Sequence, residues 1–178
     1  MLQLWEQYKI HSIVAVCALL ICIATAYFFF GVGHKVQGEG SLKKEYGLIF
    51  TDYTGKAVSL TEFKRKVLVV YMWASWCPYC GGELEYLAEL KSTYGDDIYV
   101  VAVNRAESSV DAKAFTDKLK GGNKIIFLLD PNDSLYKSVG GYAMPETLFI
   151  NSWGDIITHH RGPIRGEEVK EKILEVMK

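Results

Sequence analysis

Val67-Leu68-Val69-Val70-Tyr71-Met72-Trp73-Ala74-Ser75-Trp76-Cys77-Pro78-Tyr79-Cys80 is the stretch on which the fold turns. Its first half is a continuous apolar run with β-branched residues, the pattern of a strand buried on both faces. Beyond the cysteines, Leu84, Leu87, Ala88 and Lys91 recur at helical spacing, the lysine stem lying along the apolar face. The cysteine pair therefore sits where a buried strand ends and a helix begins. Unpaired N–H groups and the positive end of the helix dipole favour a thiolate there. A lowered thiol pKa makes Cys77 the attacking nucleophile, and Cys80, one turn on and more buried, resolves the mixed disulfide that results. Pro78 is expected in the first helical turn, where its missing N–H costs nothing.

Working outward, strands and helices alternate. Leu48-Ile49-Phe50 and Ala57-Val58-Ser59-Leu60 flank Tyr53-Thr54-Gly55-Lys56, which reads as an N-terminal hairpin. Ile98 to Val103 is a second buried strand, and Ser108 opens a helix that Gly121-Gly122 is expected to close. Ile125 to Leu129 is a third strand, stopped by Asp130-Pro131-Asn132-Asp133, and a short helix covers Ser134 to Val139. Thr147–Asn151 and Ile156–His160 form a hairpin around Trp153-Gly154-Asp155. A last amphipathic helix carries Val169, Ile173, Val176 and Met177 on one face. The order implies an α/β fold with a mixed central sheet covered by helices.

The N-terminal part is different in kind. No residue between Lys9 and Lys35 carries a formal charge, and Ile13 to Gly33 is almost wholly apolar. As a helix it would span roughly 30 Å, the hydrocarbon thickness of a bilayer. Residues 12–33 are read as a single-pass transmembrane anchor after a short flank, 1–11, and before a polar Gly- and Ser-containing linker, 34–44. Residues 45–178 then form one domain. Ala24-Thr25-Ala26 has the form of a signal-peptidase site, but the apolar run continues past it through Phe28-Phe29-Phe30, which favours an uncleaved signal-anchor. Cys17 and Cys22 read as small apolar residues of that helix. Lys35, Lys43 and Lys44 outnumber the positive charge at the other flank, so charge counting alone would leave the domain in the cytoplasm.

Composition removes some functions. With a formal charge of −1 and basic residues only in short runs such as Lys64-Arg65-Lys66, the chain lacks the concentrated basic face that nucleic acid requires. A purely structural role for Cys77–Cys80 is weak, because so small a loop removes little entropy from the unfolded chain. Zinc would need two further ligands. There is no second CxxC, and His159 and His160, adjacent on a strand, point to opposite faces, so at most one could join the cysteines. No metal site and no cofactor is expected.

Trp73-Ala74-Ser75-Trp76-Cys77-Pro78-Tyr79-Cys80 resembles the active-site segment of the thioredoxin superfamily. Ser59-Leu60-Thr61-Glu62-Phe63 and the apolar N-terminus are similar to its membrane-anchored TlpA/ResA-like branch, and Met144-Pro145-Glu146-Thr147-Leu148-Phe149-Ile150 matches the superfamily's second signature. The resemblance spans residues 45–178. It implies a thioredoxin-like fold, a redox-active Cys77–Cys80 disulfide, and a cis peptide before Pro145 that packs across from the cysteines. Trp76, Pro78, Tyr79, Met144 and Pro145 would then line the substrate site, with the Met144 backbone pairing an extended substrate. Glu83 stands where this branch commonly carries a glutamate. It either tunes the thiols and relays a proton to or from Cys80, or merely complements the helix dipole.

What the resemblance implies about activity is thiol–disulfide exchange with protein partners, the domain outside the cytoplasm in the bacterial periplasm or at the outer face of the membrane. A membrane-embedded thiol donor supplies electrons, and cytochrome c maturation is one such task. Five positions depart from the pattern. Tyr71 replaces a buried acid, Tyr79 a frequent proline, Gly81-Gly82 better helix formers, and Glu146 a frequent threonine, which would put a charge beside the groove. Two other functions compete. A copper-binding assembly factor would use Cys77, Cys80 and His159 or His160. A peroxiredoxin-like peroxidase would need a threonine where Ala74 stands.

Overall fold

In the computed structural model, the described residues are 47–178, together with Ala18, Leu20 and Ile21. The flank, the linker and nearly all of the expected anchor lie outside them. Among the described residues no helix is long and apolar enough to cross a membrane.

The alternation of strands and helices becomes a seven-stranded mixed sheet. The strands are β1 (Ile49–Thr51), β2 (Ala57–Ser59), β3 (Val67–Trp73), β4 (Ile98–Arg105), β5 (Ile126–Asp130), β6 (Glu146–Ile150) and β7 (Ile156–Arg161), in the spatial order β2-β1-β5-β4-β3-β6-β7. The central β5, β4 and β3 are parallel, while β6 pairs antiparallel with β3 and β7 with β6. All seven residues of β3 are buried, as its unbroken apolar run requires for a strand covered on both sides.

Each face of the sheet has its own core. One holds Val69, Tyr71 and Trp73 of β3 against Leu84, Leu87 and Leu90 of α1 (Cys80–Tyr94), Ala112 of α2 (Ser109–Thr116), and Val169, Ile173 and Val176 of α4 (Gly166–Val176). The other holds Leu68, Val70 and Met72 against Leu60 and Phe63 of a short 3₁₀ turn and Leu135 of α3 (Ser134–Ser138). Ser59 and Glu62 make a reciprocal capping box on that turn.

Three expectations need correction. The helix opened by Ser108 ends at Thr116, not at Gly121-Gly122, because the chain tightens into i−3 hydrogen bonds, Lys118 N–H to Phe115 and Leu119 N–H to Thr116. Met177 follows the end of α4 and is exposed, leaving Val169, Ile173 and Val176 as the buried stripe. Helix α1 begins at Cys80, so Pro78 lies in the turn leading into the helix.

Candidate active site

The end of β3 positions everything that follows. After Trp73 the chain turns, with Cys77 N–H donating to the Ala74 carbonyl (3.2 Å) and Cys80 N–H to that of Cys77 (3.3 Å). The two cysteines are disulfide-bonded, with Cα atoms 5.5 Å apart. Cys77 retains 3% exposure and Cys80 none, whereas Trp76 and Tyr79 stand out at 64% and 57%. A first cysteine that keeps slight exposure, a second one with none and a helix start beneath them suit sequential attack and resolution.

Tyr71 and Glu83 lie on the α1 side of the sheet. The Tyr71 hydroxyl donates to Glu83 Oε2 (3.0 Å), and the Ile164 N–H donates to Oε1 (3.1 Å). Burial raises the Glu83 carboxyl above its ordinary value, against the opposing effect of these two donors. Burial, with the Glu83 charge beside it, holds the Tyr71 phenol protonated. The position of the missing buried acid is thus filled by a phenol that reaches a carboxylate on the helix. Glu83 stands in the first turn of α1 with both of its oxygens engaged.

The second half of the site is the loop before β6. The Met144–Pro145 peptide is cis. The antiparallel register Met72↔Glu146 sets it beside the end of β3, where the cysteine turn departs, and Met144 packs against the core that contains both cysteines. The sequence suggested that Glu146 would put a charge beside the groove. Glu146 is wholly buried. Its Oε1 accepts from the N–H groups of Tyr142 and Ala143, both at 2.7 Å, and its Oε2 lies 2.6 Å from His159 Nε2. Burial holds the His159 imidazole below its ordinary pKa despite that carboxylate.

Other side chains hold the same loop. Tyr136 donates its hydroxyl to the Ala143 carbonyl (2.9 Å). Arg105 makes two bonds to Asp133 (2.7 and 2.6 Å), stacks 3.2 Å over the Tyr136 ring and approaches Met144 Sδ at 3.7 Å. None of Arg105, Asp133 and Tyr136 was visible as a site residue, because their partners are distant in sequence. The helical offset of Glu83 from Cys80 and the odd tyrosine at position 71 were the only local signals for the first half.

His159 and His160 are turned to Glu146 and Glu168 respectively (2.6 and 3.3 Å). Among the described residues no group of three or more His, Cys, Asp and Glu side chains is gathered as a metal site.

Comparison with known proteins agrees with this geometry. The family model described as Redoxin matches residues 38–175. The chain is 26% identical to the thiol-disulfide oxidoreductase ResA of Bacillus thuringiensis subsp. konkukian over 162 residues, 90% of each protein. It is 30% identical to the thiol:disulfide interchange protein DsbE of Vibrio cholerae over 119 residues, 67% of this chain and 62% of the relative. The crystal structure of the exposed lipoprotein thioredoxin of Streptococcus pneumoniae superposes with a TM-score of 0.64 at 26% identity, covering 72% of this chain and 98% of that one.

Proposed function

The chain belongs to the Redoxin family, as a ResA-like thiol–disulfide oxidoreductase of the thioredoxin superfamily, and on that premise we propose that it reduces disulfides of protein partners through Cys77. The observation that carries the proposal is the Cys77–Cys80 disulfide at the junction of β3 and α1. In the reduced chain, the Cys77 thiolate attacks one sulfur of a substrate disulfide. A mixed disulfide forms and the first substrate thiolate leaves. Cys80 loses its proton and attacks the Cys77 sulfur, which releases the second substrate thiolate and closes Cys77–Cys80. Two electrons pass to the substrate.

Glu83, one helical turn beyond Cys80, is the base that takes the Cys80 proton; its raised pKa brings it closer to the thiol it serves. Trp76, Pro78 and Tyr79 on one side and Met144 and Pro145 on the other bind an extended segment of the partner, the Met144 backbone adding to it as a strand. Electrons return to the pair from a membrane-embedded thiol donor.

The apolar run 12–33 supports a single-pass anchor and the linker 34–44 a tether, with 45–178 working outside the cytoplasm. Long domains translocate despite flanking charge, so the lysines after the run do not decide the orientation. Maturation of c-type cytochromes, where a disulfide must be reduced in an oxidising compartment, is the task this reading favours.

The test is a trap in the full-length chain. In a Cys80→Ser variant the mixed disulfide at Cys77 is left unresolved, so partners accumulate as adducts that dithiothreitol releases and that a further Cys77→Ser change abolishes. Absence of any Cys77-dependent adduct would overturn protein disulfide exchange. In intact cells, a membrane-impermeant thiol reagent is expected to label the reduced Cys77. Labelling only after the cells are broken would put the domain in the cytoplasm.

A further inference from the structure

The turn that carries Cys77 is gripped from a neighbouring loop by a carboxylate to which the chemistry described above assigns nothing. Glu107 lies just past the end of β4. Its Oε2 accepts the backbone N–H of Ser75 (2.8 Å) and the side-chain amide of Asn104 (2.6 Å), and its Oε1 accepts the Ser75 hydroxyl. Ser75 is two residues before Cys77. It stands inside the Ala74–Cys77 turn closed by the Cys77 N–H, where its own N–H points away from the turn and needs an outside acceptor.

The surroundings are arranged to bring Glu107 there. Trp73 and Asn104 are register partners at the ends of β3 and β4, so the two loops leave the sheet side by side. Between Asn104 and Glu107 the chain passes through Ala106 at φ +51°, a left-handed conformation for a residue with a Cβ. Such a residue costs on the order of 1 kcal/mol or more, and persists where surrounding contacts over-determine it. The Ala106 N–H is itself bonded to the Asp130 carbonyl (3.1 Å), which fixes the bend from β5. Asn104, 1% exposed, is held in turn by Glu107. The carboxylate thus joins Asn104 of β4 to the turn before the reactive cysteine, on a loop that is itself tied to β5.

We propose that Glu107 is a positioning residue for thiol–disulfide exchange, locking the Ala74–Cys77 turn so that Cys77 is presented in a fixed direction to the incoming disulfide. Displacement of the attacking sulfur by a fraction of an ångström matters because the three sulfurs of an exchange reaction must be close to collinear. The role depends on acceptor atoms, not on charge. A glutamine can supply it: its oxygen takes the Ser75 and Asn104 N–H groups, and its amide donates to the Ser75 hydroxyl, which turns from donor to acceptor. An alanine supplies none of it.

The proposal rests on Cys77 being the attacking thiol, and the experiment separates the two. The purified full-length chain, driven by dithiothreitol, reduces a fluorescent peptide disulfide at a temperature well below the unfolding of every variant. Glu107→Ala is expected to lower kcat about tenfold with KM unchanged, a loss of the size that sub-ångström misplacement produces. Glu107→Gln is expected to stay within about twofold of the parent, restored by acceptor geometry alone. A kcat equal to the parent in Glu107→Ala overturns the proposal. So does an equal fall in Ala and Gln, which would make the charge the active element, or a change confined to KM, which would make Glu107 a substrate contact. If instead the parent chain reacts equally well with Cys77→Ser, the reading of the site itself has failed and Glu107 is not the cause.

Discussion

The cysteine turn and the proline loop meet at the same end of the sheet, yet they are held in opposite ways. Trp76, Pro78 and Tyr79 are exposed on the cysteine turn, whose internal support is two backbone hydrogen bonds. The carboxylate in the first turn of the helix that follows, Glu83, is half-buried and carries a raised pKa. On the proline loop, the carboxylate Glu146 is wholly buried with both oxygens engaged, and Tyr136 and Arg105 grip the residues before Pro145. One half of the site presents exposed side chains around the cysteines, and the other is held from inside by buried polar contacts. Exchange chemistry asks for this division: the reacting sulfur must be reached and must change protonation, while the surface that pairs with a substrate backbone gains affinity from being preorganised.

The strongest way to break the contrast is to empty the buried carboxylate. Glu146→Ala leaves two backbone N–H groups and the His159 imidazole without their acceptor. It is expected to destabilise the domain by about 3 kcal/mol in chemical denaturation, the cost of removing one partner of a buried pair. A loss below 1 kcal/mol would mean that the loop is not held from inside. Tyr136→Phe removes only the bond to the Ala143 carbonyl and is expected to cost about 1 kcal/mol, with KM for a peptide disulfide rising more than kcat falls.

Neutralising the carboxylate of the other half has the opposite sign. Because burial raises the Glu83 pKa above 4.5, the folded state holds that proton longer than the unfolded chain. Its contribution to stability is present below pH 4.5 and is lost as pH rises through the folded value. Glu83→Gln removes that loss, and the melting temperature at pH 7 is expected to rise by a few degrees while exchange slows. A lower melting temperature would show that the charged carboxylate is favoured where it sits.

His159 supplies the smallest effect. Its folded pKa lies below 6.5, so the unfolded chain binds the proton first as pH falls, and stability is lost from about pH 6.5 downward. His159→Gln is expected to flatten that part of the stability curve. An unchanged slope would assign it to other groups.

Much of this architecture was legible in the residues, for reasons that differ between elements. Val67–Trp73 and the strand beginning at Ile98 declare themselves because a strand covered on both faces reads as a near-continuous apolar run. The cysteine pair was legible as chemistry because strand and helix patterns meet at it. The ties that hold the site were not. Glu107 and Ser75 are 32 residues apart and Glu146 and His159 are 13 apart, and no periodicity links them. Glu146 was read as a charge beside the groove because sequence shows residue type and not the partner that makes burial tolerable. The early end of α2 escaped for a smaller reason, since glycines at 121–122 mark a turn but not how far the helix runs before it.

The division of labour between the two sulfurs can be measured directly. The reduced full-length chain is treated with less than one equivalent of iodoacetamide at pH 7, and the label is located by peptide mass spectrometry. The account predicts that it lies overwhelmingly on Cys77, with Cys80 modified only after unfolding. Equal labelling, or label found first on Cys80, would contradict it.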